Sequence, residues 1–221
     1  VYYIYYANRS YVYYMTLFGG RKIENVLSET LDYNNGNSTI KTVIDNWYST
    51  NMTSYTNKLE DTVWCNDRSI YSKGGWNPNG GIASGANSYL YFSAFNRVNS
   101  TYSPSLTCSR DIDKFTISTS NGNGKLTYPI GLLTVDEVML AGSKYNTSNN
   151  SYYLYAGNKW WLGSSYDSQG TYAYGYIVDS DGKFYYQNVN YSAPGVRPSV
   201  SLAPGTEMTG SGTVDDPYQV N

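Results

Sequence analysis

Tyrosine dominates this chain and limits what it can fold into. There are 27 Tyr in 221 residues, against 5 Trp and 5 Phe, so most of the large side chains are amphipathic. Charged residues make up 14% of the chain, well under the roughly 25% of an average soluble domain. Polarity comes instead from Tyr, Ser, Asn, Thr and Gly. A chain of this length buries one sizeable core or two small ones, and a single domain spanning residues 1–221 is expected.

The composition removes several classes of function. His 0 excludes a Ser-His-Asp or Cys-His catalytic pair and every metal site that needs imidazole, and 2 Cys cannot build a four-thiolate zinc site. The formal net charge of -2 comes from 15 basic and 17 acidic residues without long runs, which leaves no electrostatic footprint for nucleic acid or an anionic bilayer. No stretch approaches the roughly 20 apolar residues of a membrane span. Val1 is not followed by a basic region and an apolar core, so the expectation is a mature or trimmed chain without direct membrane insertion. Nothing in the sequence calls for a cofactor.

Cys65 in TVWCNDRS and Cys108 in SLTCSRD each follow an apolar-rich segment and precede a polar turn. The natural reading is a disulfide, which would support a chain poor in aliphatic residues and point outside the cytosol; the alternative is two buried free thiols.

Along the chain, Val1 to Leu17 carries two β-prone aromatic runs separated by Ala7-Asn8-Arg9-Ser10, which reads as an N-terminal hairpin within residues 1–20, broken by Gly19-Gly20. Two helices are expected within 21–60: one near Lys22 to Leu31, and one capped by Asn37 or Ser38 whose Ile40, Val43, Ile44, Trp47 and Tyr48 form a core-facing stripe. Residues 61–127 read as an irregular insert rich in Gly, Asn and Ser, packed through Trp64, Trp76, Phe92, Phe95 and Phe115, with short strands only at YLYFSAF and KFTIS. From Tyr128 order returns. Thr134-Val135-Asp136-Glu137 is a capping box opening a short helix to Leu140, WWLGSS begins a strand, and TYAYGYIVDSDGKFYYQNV is a hairpin turning at Asp181-Gly182.

The first arm of that hairpin alternates with period two. Ala173, Gly175 and Ile177 share one face; Tyr172, Tyr174, Tyr176 and Val178 share the other. Alternation alone leaves two readings open: the tyrosines display themselves to a ligand, or they are core and the small face is solvated.

Six segments carry a resemblance: WCNDRS, GGWNPNGG, LTYPIGLLTVDEVMLAG, WWLGSSY, GVRPSVSL and GSGTVDDPYQV. In order and spacing they resemble secreted bacterial proteins with a C-type-lectin fold of the formylglycine-generating-enzyme type, some of them diversified by retroelements. The resemblance runs from about Thr39 to Val220. It implies an α+β, C-type-lectin-like fold with two main helices, small antiparallel sheets and extensive irregular loops. It also implies that the segment between the WLGS strand and the GVRP strand displays a ligand-binding surface, with residues 128–221 forming the display hairpin and closing strands. On that basis the candidate ligand-binding residues are Tyr166, Asp167, Ser168, Tyr172, Tyr174, Tyr176, Tyr185, Tyr186 and Tyr191. Trp161 and Arg197 are structural, the arginine buried and paired.

The leading functional expectation is a ligand-binding adhesin or receptor-type module, secreted or on a bacterial cell surface, that takes a protein or glycan partner and no nucleic acid. Tyrosine suits that role, because it offers large, rigid, amphipathic contact area at low entropic cost. The alternative is a lectin of fixed specificity in which Trp76, Trp160 or Trp161 stacks on a sugar. An enzyme is the weakest reading. The fold's enzymatic branch uses a cysteine pair near its last strands, and Cys65 and Cys108 both precede WWLGSS. The carboxylate pairs Asp111/Asp113, Asp136/Glu137 and Asp215/Asp216 each have a simpler role in a turn or helix start. DSDG at Asp179 to Gly182 begins like a calcium loop, but Asn190 stands where the twelfth-position Glu belongs, so a turn is expected. Retroelement diversification would leave the codons of Tyr166, Tyr172, Tyr174, Tyr176, Tyr185, Tyr186 and Tyr191 ending in C, and reading the gene checks this; codons ending in T would remove diversification.

Overall fold

The computed structural model describes residues 2–3, 13–16, 19–22, 38–71, 76–77, 81–82, 89–169, 172–191, 193–213 and 215–220. The helix expected near Lys22 to Leu31 and the turn at Ala7 to Ser10 lie outside them, as do parts of GGWNPNGG.

Trp160–Gln169 is the organising strand of a mixed helix-and-sheet, α+β structure. It pairs antiparallel with Tyr172–Val178, which pairs with Phe184–Asn188. On its other side, Trp160 meets Gly195 in parallel register, while its far end, Asp167 to Gln169, pairs with Tyr91 to Tyr89. Tyr2–Tyr3 and Ile70–Tyr71 extend the two ends into a seven-stranded sheet. The long strand is bulged. Trp161 faces Ile177 and Ser165 faces Gly175, so four steps on one strand match two on its neighbour, and a second register shift precedes Asp167. The bulge turns backbone toward the Leu132–Val135 segment: Gly163 N–H donates to the Leu133 carbonyl at 2.8 Å, and Val135 N–H donates to Ser164 Oγ at 3.0 Å. A Cβ at Gly163 would stand 3.2 Å from the Leu132 carbonyl oxygen, so glycine permits the approach.

The sheet is buried on both faces. One core joins Trp161, Ile177 and Val196 to Ile44, Tyr48, Trp64, Phe115 and Ile130. The other joins Trp160, Leu162, Tyr166, Tyr176, Val178 and Phe184 to Val98, Val135 and Val138. The first is covered by the helix Thr39–Asn51, where Lys41 N–H donates to the Ser38 cap and Ile44 and Tyr48 point inward, as the apolar stripe predicts. Lys41 is also buried on this helix and pairs with Asp45; burial lowers the lysine pKa and Asp45 offsets part of that. The second core is covered by Ser93–Phe95, running into Asn96–Ser100, and by Val135–Leu140. The expected capping box is present. Thr134 N–H donates to Glu137 Oε2 at 2.7 Å, and Glu137 N–H returns to Thr134 Oγ1 at 3.2 Å.

At the N-terminus one expectation needs correcting: Tyr13–Thr16 pairs with Gly19–Lys22, so Gly19-Gly20 begins a strand. Tyr2–Tyr3 pairs with Gly195–Val196, and residues 4–12, which hold most of the expected hairpin, lie outside the described residues. Within 61–127 the described residues are more strand-like than expected: Trp64–Cys65 pairs with Lys114–Phe115, and Trp76–Asn77 with Gly81–Ile82. The closing segment is tied at Gly131 to Ser199 and at Leu59 to Leu202.

Cys65 and Cys108 form a disulfide across 43 residues, with Cα atoms 5.5 Å apart. Beside it, Arg68 Nε donates to Asp113 Oδ1 at 2.6 Å and Arg68 Nη2 to the Ile112 carbonyl at 3.0 Å, closing the same loop with buried charge. Replacing both cysteines by alanine is expected to lower stability by up to about 4 kcal/mol on the chain-entropy account of a loop this long. A thermal melt of the variant against the oxidised protein checks this; an unchanged Tm would mean that the Arg68–Asp113 closure suffices alone.

Candidate ligand-binding surface

The hairpin Tyr172–Val178/Phe184–Asn188 turns where Gly182 adopts φ +81°, a left-handed conformation that glycine takes without strain. Asp179 and Asp181 lie 3.2 Å and 3.1 Å from Lys159 and Lys183, and the Ser148 hydroxyl donates to Asp181 Oδ2 at 2.6 Å, so DSDG is a braced turn as expected. Register then sets the rings: Tyr176 faces Tyr186, Ile177 faces Tyr185, and Tyr174 faces Asn188.

The small face is not solvated: Ala173 is buried and Ile177 lies in the first core. The other face divides along the strand, with Tyr176, 0% exposed, buried in the second core and Tyr174 half-buried against it. Around Tyr176 a continuous aromatic cluster forms. Tyr166 stacks on Tyr186 at 4.2 Å, and Tyr186 stacks on Tyr185 at 4.4 Å. Tyr185 lies 5.7 Å from Tyr145 with planes 20° apart. Tyr91, Phe95 and Tyr176 meet Tyr166 edge-on at 5.9, 5.4 and 5.2 Å, and Tyr174 meets Tyr186 edge-on at 5.6 Å. Such offset and edge-on pairs each contribute about 0.5–1.5 kcal/mol beyond area burial.

The hydroxyls are organised too. Tyr176 donates to Asn99 Oδ1 at 2.6 Å. Burial first, then the neighbouring phenols and the Asp167 carboxylate, push Tyr166 and Tyr176 well above the ordinary tyrosine value. Tyr145 is raised mainly by burial, and Tyr186 chiefly by its bond to Tyr185 and then by burial.

The sequence-derived residues therefore separate. Tyr166, Asp167 and Tyr176 are buried. Tyr174, Tyr185 and Tyr186 are half-buried and form the accessible part; Tyr191 is exposed beyond the hairpin. Ser168 and Tyr172 lie in the paired ends of their strands. Tyr91, Phe95, Asn99 and Tyr145 join the same cluster from distant segments. Periodicity had read YLYFSAF only as a packed strand and Tyr145 only as loop, and no local signal ties either to the hairpin.

Trp160 and Trp161 are both buried, 2% and 4% exposed, on opposite faces of the sheet, so neither stacks on a sugar. Arg197 lies over Trp160 at 4.6 Å and donates through Nη1 to the Leu154 carbonyl at 2.7 Å; it is half-buried, where a buried residue was expected. A polar cavity of about 150 Å³ lies near the disulfide, lined by Trp64, Asp67, Arg97, Asp136, Glu137 and Ser164 among others. There Arg97 donates through Nε and Nη2 to Asp136 at 2.7 and 2.9 Å and through Nη1 to Asp67 at 2.7 Å. Burial alone would lower the arginine pKa, and the two carboxylates more than reverse that. Among the described residues no His, Cys, Asp and Glu group is arranged to hold a metal ion, and no helix is long and apolar enough to cross a membrane. Comparison with family models, curated proteins and solved structures returned no match to this chain.

The phenols give a signed pH dependence. Their folded-state pKa values lie above the unfolded value near 10, so the folded state holds protons that the unfolded chain releases. Their contribution is constant below about pH 10 and is lost as pH rises from there toward the folded pKa values. Stability measured by denaturant titration is expected to fall above about pH 10, with part of the phenolate absorbance appearing only on unfolding; full titration of the tyrosines before unfolding would contradict the buried cluster.

Proposed function

We propose that this chain is an extracellular ligand-binding module of C-type-lectin-like fold, presenting Tyr174, Tyr185 and Tyr186, flanked by Tyr145 and Tyr91, to a protein or glycan partner. The observation that carries this reading is the stack in which half-buried Tyr186 rests at 4.2 Å on buried Tyr166. Rings seated on a rigid aromatic floor lose little conformational freedom on binding, which is what makes tyrosine effective in antibody paratopes. The disulfide is compatible with an oxidising, extracellular compartment. No catalytic role is part of this proposal: Asp113, Asp136 and Glu137 are engaged by Arg68, Arg97 and Thr134, and Asp216 Oδ2 accepts from Ser211 N–H.

A second reading, a lectin with a fixed site, loses the buried Trp160 and Trp161 but keeps Trp76, whose side chain lies outside the described residues. The cavity beside Trp64 would serve it only if Arg97, Asp67 and Asp136 exchanged their mutual ion pairs for sugar hydroxyls.

Alanine at Tyr174, Tyr185 and Tyr186 together is expected to abolish retention on a glycan array or a panel of purified cell-surface proteins, with only a small fall in Tm. Tyr176→Ala is expected to destabilise by about 3–5 kcal/mol, as for other large buried rings. Sugar binding that survives the triple alanine variant would favour the second reading.

A further inference from the structure

The loop that Cys65–Cys108 closes is closed a second time, without sulfur. Trp64 pairs with Phe115 and Cys65 with Lys114. Asn66 N–H donates to the Asp113 carbonyl at 2.9 Å, and Arg68 donates to Asp113 Oδ1 at 2.6 Å and to the Ile112 carbonyl at 3.0 Å. These bonds hold the two ends of the loop together in the folded chain. The disulfide still stabilises the whole fold by restricting the unfolded chain, but within the folded protein its particular effect falls on the residues just before Cys108.

Residues 103–108 carry neither helix nor strand. They leave the Asn96–Ser100 helix through Tyr102, whose φ of +50° is uncommon for a residue with a side chain. Ser103 N–H donates to the Arg97 carbonyl at 2.8 Å, which fixes the near end. Beyond it, Ser105, Leu106 and Thr107 form one wall of the polar cavity, across from Asp67, Arg97 and Glu137. Little else holds that wall. Among the described residues, one hydrogen bond ties 104–107 to another segment, from Ser105 N–H to Asp136 Oδ1 at 2.9 Å, while Thr107 N–H donates back to Ser105 Oγ. Leu106, the largest apolar side chain here, is 69% exposed, so apolar burial adds little.

We propose that residues 103–108 are a strap over the polar cavity and that Cys65–Cys108 is its redox-sensitive latch. Neither cysteine is buried, and Thr107 and Ser109 beside Cys108 are exposed, so a dithiol reductant reaches the bond. Its thiolate attacks one sulfur and the S–S bond breaks. The mixed disulfide is then resolved by the second thiol of the reductant, which leaves as a cyclic disulfide. Two electrons pass to the protein, and Cys65 and Cys108 each end as a thiol. The strap, still fixed at Ser103 and at the Asp113 closure, then bows outward. Asp136 loses the Ser105 N–H, and the Arg97 ion pairs with Asp136 and Asp67 open to solvent, while the Trp64/Phe115 ladder stays formed.

Amide hydrogen exchange of the full chain, followed by NMR before and after reduction with dithiothreitol, tests the latch. Ser105 N–H reports the strap and Asn66 N–H reports the sulfur-free closure. Reduction is expected to speed Ser105 exchange roughly tenfold or more while leaving Asn66 protected, because the strap opens locally and not with the fold. Reoxidation should restore the slow rate, and Cys108→Ser should match the reduced chain with no reductant present. An unchanged Ser105 rate on reduction, or in Cys108→Ser, would overturn the latch. So would loss of Asn66 protection together with Ser105, in either the reduced chain or the variant, since the disulfide would then be holding the whole loop and not a strap.

Discussion

Trp160 and Trp161 are neighbours in the chain and lie in different cores, and the rest of the architecture follows from that division. A strand sends successive side chains to opposite faces, so two adjacent indoles can both be buried only if both faces of the sheet are covered. Thr39–Asn51, with Trp64, Phe115 and Ile130, covers one face; Ser93–Phe95, Asn96–Ser100 and Val135–Leu140 cover the other. The bulge between Trp161 and Ser165 lets the same strand hold the Leu132–Val135 segment by backbone bonds while keeping both tryptophans inside.

Charge is scarce in this chain, and the structure places much of it as pins between covers. Arg97 ties Asp136 on the Val135–Leu140 helix to Asp67 in the disulfide-closed loop, and Arg68, inside that loop, pairs with Asp113 just beyond its Cys108 end. Ion pairs this buried contribute little net stability against a well-packed apolar alternative, but losing one partner strands a charge and costs about 3–5 kcal/mol. They therefore hold covers in one arrangement. The same engagement explains why carboxylate pairs that look chemically interesting in sequence are occupied.

Tyrosine has two roles here, separated by depth and by hydroxyl partner. Tyr48 and Tyr176 fill core positions and satisfy their hydroxyls on Thr56 and Asn99. Tyr174, Tyr185 and Tyr186 stay partly accessible, braced by the buried rings behind them.

Local signals in the sequence determined the elements whose cause is local. The Ser38 cap and the Ile44/Tyr48 stripe, the Thr134/Glu137 capping box and the Asp181-Gly182 turn each depend on residues within a few positions of one another, and each stands where the spacing puts it. The α+β class and the Cys65–Cys108 pairing were also legible. Depth was not. Tyr176 and Tyr174 sit on the same face of the same strand, yet one is sealed and the other is accessible, because Val98, Phe184 and Tyr166 close over only one of them. Tyr91, Phe95, Asn99 and Tyr145 reach the cluster through long-range pairing and helix placement that no window of sequence contains. Alternation assigns a side chain to a face; whether that face is core, floor or surface depends on what packs against it, and only the tertiary structure decided that.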